Sequence, residues 1–388
     1  MRTLCAVALV LVAAGGAVGR SGRVIDVPGD VPTIAAAVAA AAPGDTVLIE
    51  AGTYRPSLKI PAAKHDLRIR GADRNAVVFD GRGTMHDAID VEADRVTIEN
   101  VSAHSYLGNV FYWDDVSGFT ARYLTVWNVR GYGIYAEHST GGLIEQDYVS
   151  GAADAAYYIG ECDPCNSMIR HVGARLSAVG YSGTNASGNL SIQDSRWDRN
   201  GAAILPNSYA NEEQPPQERA TIVRNIVTRS GTVPVPLHTP LAAFWGIGIG
   251  IAGGRGDRVT GNIVTGSARY GIALFPTEYW IPLDPRPKPP GKHLPWRAVD
   301  NVVTGNRVSG SRLADLALAG GRHNCFAGNA AATVAPPGLR GCRDAGDPRV
   351  AADLTAPLRT MLAGAYSRFP PPRFESMPKP PPQPTLPR

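Results

Sequence analysis

Five polar residues recur along the chain at a nearly constant interval. Asp114, His138, Glu161, Asn185 and Ser208 are separated by 24, 23, 24 and 23 residues. Each closes a similar short segment: Asn-Val-Phe-Tyr-Trp-Asp (109–114), Gly-Ile-Tyr-Ala-Glu-His (133–138), Ala-Tyr-Tyr-Ile-Gly-Glu (156–161), Gly-Tyr-Ser-Gly-Thr-Asn (180–185) and Ala-Ile-Leu-Pro-Asn-Ser (203–208). A period of this size is the signature of a solenoid, in which one turn of chain stacks on the next. Stacked turns put equivalent residues about 4.8 Å apart, the spacing of hydrogen-bonded strands. The five polar residues are therefore expected to form one line along one face.

The segments alternate with period two, the rhythm of strands. Ile134 and Ala136 are expected to point inward, Tyr135 and Glu137 outward, and residue 138 to begin the corner. Further strand-like runs at Leu67–Arg70, Val96–Asn100, Phe119–Trp127, Leu143–Val149, Thr221–Val227 and Val302–Val308 carry the repeat onward. With 43 Gly, 32 Pro and only 19% charged residues, the composition suits many short strands and tight turns. A net charge of +4 with no basic, aromatic-rich stripe argues against a nucleic-acid partner.

The first 19 residues read as a secretion signal. Arg2 gives the positive start, an apolar run follows, and Ala17-Val18-Gly19 is a cleavage site of small residues. The run is too short to span a bilayer, which takes ~18–20 apolar residues, and no later segment is long enough either. Loss of the leader removes Cys5 and leaves Cys162, Cys165, Cys325 and Cys342. In an exported chain these form two disulfides, and local pairing of 162 with 165 and 325 with 342 is favoured among three possible arrangements. Zinc lacks a second ligand pair at matching spacing, and the Cys-x-x-Cys sits in a β repeat rather than at a redox helix.

Ala35–Ala42 has helical character, and Pro43-Gly44-Asp45 ends it before the strand Thr46–Glu50. A lone helix here would cap the open end of the solenoid. The repeat region spans 24–345, and 346–388 is an extension, Pro-rich and expected to be largely disordered from about 363. Two insertions, 209–218 and the Pro-rich 276–297, leave just after ladder strands and are expected to wall a groove.

Gly52-Thr53-Tyr54, the Pro-Gly-Asp before the first strand, the coil period and the Asn-rich turns resemble the right-handed parallel β-helix proteins of the pectate-lyase-like superfamily. The blocks 158–166 and 180–190 resemble an exported bacterial branch described only by its repeats. The resemblance implies an all-β fold: a single-stranded right-handed parallel β-helix solenoid with a short N-terminal capping helix. For function it implies lyases, hydrolases, epimerases or esterases of polysaccharides, or accessory proteins. The paired Asp-Asp with Gly-His-Gly, the Asp-Pro-His-Glu and the Asp-His beside a Ca²⁺ site are all absent, so no catalytic set carries over.

On the residues themselves, Asp114 and Glu161 lie two rungs apart with His138 between them. Inverting glycosidases hold two carboxyls ~6.5–9.5 Å apart, and an intervening imidazole can relay a proton. Trp113, Tyr135 and Tyr158 are expected to face outward as aromatic surfaces for sugar rings, with Asn185 and Ser208 as further contacts or as corner ladder. For elimination or epimerisation of a uronate, Asp163 with Asp114 and Glu161 could hold Ca²⁺. The expectation is a secreted monomer that binds and processes a polysaccharide; a non-catalytic glycan-binding or cell-surface protein is the competing class, because a fold alone does not fix function.

Overall fold

The computed structural model describes residues 22–209, 212–238, 244–277, 296–354 and 373–387. The leader lies outside them, as do residues 278–295 of the second insertion. Within them, the chain winds as a parallel β-helix. Three sheets of 13, 11 and 11 strands run the length of the molecule, and each coil contributes one strand to each sheet. Partners three strands apart pair in parallel, for example Phe111–Asp114 with Ile134–Glu137 and Ile134–Glu137 with Ala155–Gly160. The pairing of Asn324–Ala327 with Gly341–Arg343 is antiparallel.

The period-two pattern explains which side chains fill the centre. Inward positions carry Phe79, Phe111, Trp113, Tyr157, Trp197 and Phe326, all essentially fully buried, among stacked Ile and Val. Each such aliphatic side chain removed from water stabilises the coil by about 1.5–3 kcal/mol. At the N-terminal end the helix Ile34–Ala40 lays Ile34, Ala37 and Val38 over the core. Thr33 caps it by accepting a bond from the Ala36 amide, 3.1 Å, which satisfies one of the amides a helix start leaves unpaired.

Corners need their own explanation, because each one exposes backbone groups that the sheets do not pair. One column is an asparagine ladder: Asn225, Asn262, Asn306 and Asn329 each receive the backbone N–H or side-chain amide of the rung before. Their amides also donate to carbonyls across the turn, as Asn262 does to Ile222 at 2.9 Å. A second column runs through Asp257, Asn301 and Asn324. Asp257 takes two bonds on Oδ1, from Gln217 Nε2 and the Ala220 amide. Its Oδ2 and the Gln217 Oε1 are buried without a partner.

The disulfides are Cys162–Cys165 and Cys325–Cys342, the local pairing expected from sequence. The second staples the antiparallel pair at the C-terminal end.

The Pro-rich tail departs from the expectation of disorder over its last part. Residues 373–387 return across the outer side of the second sheet, the one that begins with Gly52–Tyr54. Asn128 donates to the Glu375 carbonyl, Arg74 to the Pro384 carbonyl, and Asn75 exchanges two bonds with Gln383. Asn100 Oδ1 accepts from Thr385 and Leu386. Lys379 lies 5.5 Å from the ring of Trp127, which stacks on His104 at 4.5 Å. Composition alone understates such order, since a proline-rich strand has little entropy to lose and side chains of the coils supply polar partners.

Candidate functional site

The third sheet begins with Leu58–Ile60 and carries the ladder strands. Its register corrects the first rung by one residue. Phe111 pairs with Ile134 and Asp114 with Glu137, and the Asp115 amide bonds the Glu137 carbonyl. The corner line is therefore Asp115, His138, Glu161, Asn185 and Ser208. The first four share the left-handed backbone, with φ of 53°, 50°, 52° and 49°. The same backbone recurs at Tyr123, Gln146 and Arg224, so it belongs to the coil and not to the site.

A one-residue slip moves every side chain to the other face. Trp113 therefore points inward and is fully buried against Phe119, contrary to the outward placement expected. Tyr112 takes the outward position, in line with Tyr135 and Tyr158. Those three do face outward, yet Tyr135 and Tyr158 are buried. Their rings stack on each other at 4.4 Å, and Tyr132 packs against both. They form the floor beneath the acids rather than an open platform for a sugar ring. Tyr112 and Tyr135 each donate a 2.8 Å bond to Glu137. Gly160 occupies the position equivalent to Glu137 on the next rung; a Cβ there would meet the Tyr158 hydroxyl at 2.3 Å.

Despite the register change, Asp114, His138 and Glu161 come together. Asp114 is the outward residue just before its corner and His138 is the corner residue of the next coil. The imidazole Nδ1 lies 3.2 Å from Asp114 Oδ1, and Nε2 lies 3.3 Å from Glu161 Oε2. His138 and Asp114 are each about one-third exposed, whereas Glu161 is 7% exposed. All three line an open cleft of about 700 Å³, with Asp115, Thr140, Asp163, Asn166, Glu213 and Gln214 also on its walls.

The insertion at 209–218 does wall this cleft. Asn185 holds it from below: its amide donates to the carbonyls of Tyr209 and Glu213, and its Oδ1 accepts from the Tyr209 amide. Glu213 N–H then donates to Glu161 Oε2 at 2.9 Å. Ser208 accepts from the Gln217 amide and donates to the Gly253 carbonyl. Asn185 and Ser208 are both fully buried, so they position the loop and do not reach a substrate.

Electrostatics set the proton inventory. Burial, then the neighbouring Glu137 carboxyl, push Glu161 above the usual carboxylate range, against the pull of the Glu213 amide and of His138. For His138, burial favours the neutral ring, but the bond to Asp114 and the fields of Glu161, Glu137 and Asp114 outweigh it, and its pKa rises. Glu212 is pushed up to about 7, first by burial and next by Glu161. Perturbed acids in a cleft are the pattern of functional sites.

The sequence places Glu137 outward but assigns it no role, and Glu212 reads from it as part of a solvated loop. Glu137 was legible as an outward residue beside the ladder. Glu212 lies in an insertion whose path no periodicity reveals. The cation set also changes. Asp163 turns to Arg219 at 3.4 Å, while Asp114, Glu137 and His138 bring ligand atoms within 4.8 Å of one another. Two oxygens and one imidazole would suit a divalent cation.

Residues 108–279 match a family model described as a right handed beta helix region. The chain has a right-handed parallel β-helix fold. No curated protein matches it in sequence. Among solved structures, an alginate lyase from Paenibacillus sp. str. FPU-7 is 14% identical, with 76% of this chain and 97% of that one covered and a TM-score of 0.51. A periplasmic alginate epimerase is 11% identical over 75% of this chain and 77% of its own, TM-score 0.48. A mannuronan C-5 epimerase module from Azotobacter vinelandii is 14% identical over 78% and 93%, TM-score 0.42. At these identities the likeness is one of fold. Among the described residues no helix is long and apolar enough to cross a membrane.

Proposed function

We propose that this is an extracytoplasmic glycan-processing protein that hydrolyses a polysaccharide in the cleft over Asp114, His138 and Glu161. The observation that carries the reading is the imidazole held between two carboxyls, 3.2 Å from one and 3.3 Å from the other, on the wall of an open cleft. Glu161, secluded and raised in pKa, acts as proton donor to the leaving oxygen. Asp114, more exposed, acts as base toward water. One imidazole in contact with both keeps their nearest oxygens no more than about 9 Å apart, so the pair does not exceed the inverting range. His138 touches both, and its charge opposes the rise at Glu161. Two disulfides fit an oxidising compartment. The alginate lyase of like fold is named as a polysaccharide enzyme, which supports a glycan as the ligand.

A second reading draws on the Asp114, Glu137 and His138 group. A divalent cation there could neutralise a uronate carboxylate for elimination. The deciding experiment incubates the purified chain with neutral, amino and uronic polysaccharides, in Ca²⁺ or EDTA, and follows reducing ends and ultraviolet absorbance. New reducing ends without absorbance, lost by about 10²–10⁴ in Glu161→Gln, are expected. Absorbance dependent on Ca²⁺ would support elimination. No turnover on any polymer would leave a binding protein.

A further inference from the structure

The chain carries a net charge of +4, yet its cleft is acidic. Five of the residues that line it are carboxylic acids: Asp114, Asp115, Glu161, Asp163 and Glu213. No Lys or Arg is among the described residues on its walls. Glu137 and Glu212 stand directly behind, both close enough to Glu161 to act on its titration or be acted on by it. Against them stand one imidazole and Arg219, which pairs with Asp163 and Glu218 at the rim.

A low-dielectric recess lined by one sign of charge concentrates ligands of the other sign and repels its own. A polyuronate entering here would bring carboxylates against carboxylates. An ammonium group would meet acceptors already converging on one spot, the carboxyls of Asp114 and Glu137, whose oxygens lie within 4.8 Å of one another. An ammonium has three donors and no acceptor, the complement of such a cluster. The 700 Å³ cleft has room for a few sugar units beside it.

We infer that the substrate is an amine-bearing glycan, a polymer containing free amino sugars, bound through its ammonium groups by Asp114 and Glu137. This rests on the reading of the cleft as a glycan site.

The test is calorimetric titration of the full mature chain with three matched tetramers: glucosamine, N-acetylglucosamine and galacturonate. It runs at pH 6 in EDTA, at low and at 0.5 M salt. The glucosamine tetramer should bind at least tenfold tighter than its neutral counterpart, with most of that margin lost at high salt. Glu213→Gln, on the exposed loop, should cut the margin severalfold. Equal affinity for the glucosamine and acetylated tetramers would overturn the inference and leave the glycan site standing. So would tightest binding by galacturonate, with or without added Ca²⁺. If no tetramer binds, the glycan reading itself fails, and this inference with it.

Discussion

Asp257 occupies a place in a corner column that its neighbours Asn301 and Asn324 fill with amides. An amide there offers an acceptor to one rung and a donor to the turn. The aspartate offers two acceptors. Its Oδ1 is well used, but Oδ2 is buried beside Gln217 Oε1 with no donor between them. Burial pushes the Asp257 carboxyl up from 3.8 to about 7. The unfolded chain therefore releases this proton first. Stability is fully present below the unfolded value and falls as pH rises through the interval between the two, with each unit worth about 1.4 kcal/mol. The total handicap at pH 8 is ~4 kcal/mol. Asp257→Asn keeps the two bonds on Oδ1 and gives Nδ2 as donor to Gln217. Between pH 5 and pH 8 the variant's margin over the parent should widen by about 3 kcal/mol, as the parent ionises a group the variant lacks. Urea melts of both chains at the two pH values measure it. A margin that stays the same at both, or a variant less stable than the parent at pH 8, would refute the reasoning.

Glu212, held up to about 7, should destabilise its own loop as it ionises: closure is intact below about 4.5 and weakens as pH rises through 7. Limited proteolysis at Glu212–Gln214 is expected to accelerate severalfold from pH 5 to pH 8 in the parent and to stay flat in Glu212→Gln; parallel curves would count against it. Removing residues 373–387 should uncover Trp127, which is 6% exposed beneath them, shift its emission to the red and cost about 2 kcal/mol, the net of several bonds against ordering entropy. Unchanged emission would mean the strap does not lie there in solution.

The coil period and the inward pattern were readable because a solenoid repeats one local solution. The helix Ile34–Ala40 was readable for the same local reasons, an alanine run ended by Pro-Gly-Asp. The first rung was not. Asp114 and Asp115 are adjacent and both fit a corner, so the spacing of 24 looked as good as 23, and the choice turned Trp113 outward. Packing resolves it: a Trp at the inward position pairs with Ala136 and packs on Phe119, which no spacing rule reports. The aromatic faces were misjudged for another reason. Outward in a strand pattern means away from the core, and here Tyr132 and the 212–214 loop cover that outer surface.

The site arises from two features that the repeat makes compatible. In most coils the corner residue serves the backbone, as the asparagine columns do. At His138 and Glu161, as at Asp115 and Asn185, the corner amide is met by a carbonyl of the next rung, so the side chain is not needed to satisfy it. On the next two rungs the ladder returns to structural use, and Asn185 and Ser208 anchor the loop that closes over Glu161. One column thus supplies both the chemistry and its lid. The lid reaches Glu161 through a backbone amide, which favours the ionised carboxylate, while burial and Glu137 favour the acid. Loosening Asn185 would remove only the first influence. Asn185→Ala should therefore raise the pH at which Glu161 loses its proton and carry the alkaline limb of any activity upward with it, an effect opposite in sign to simple solvent exposure of the acid. A downward shift would show that opening the loop wets Glu161 more than it deprives it of a donor.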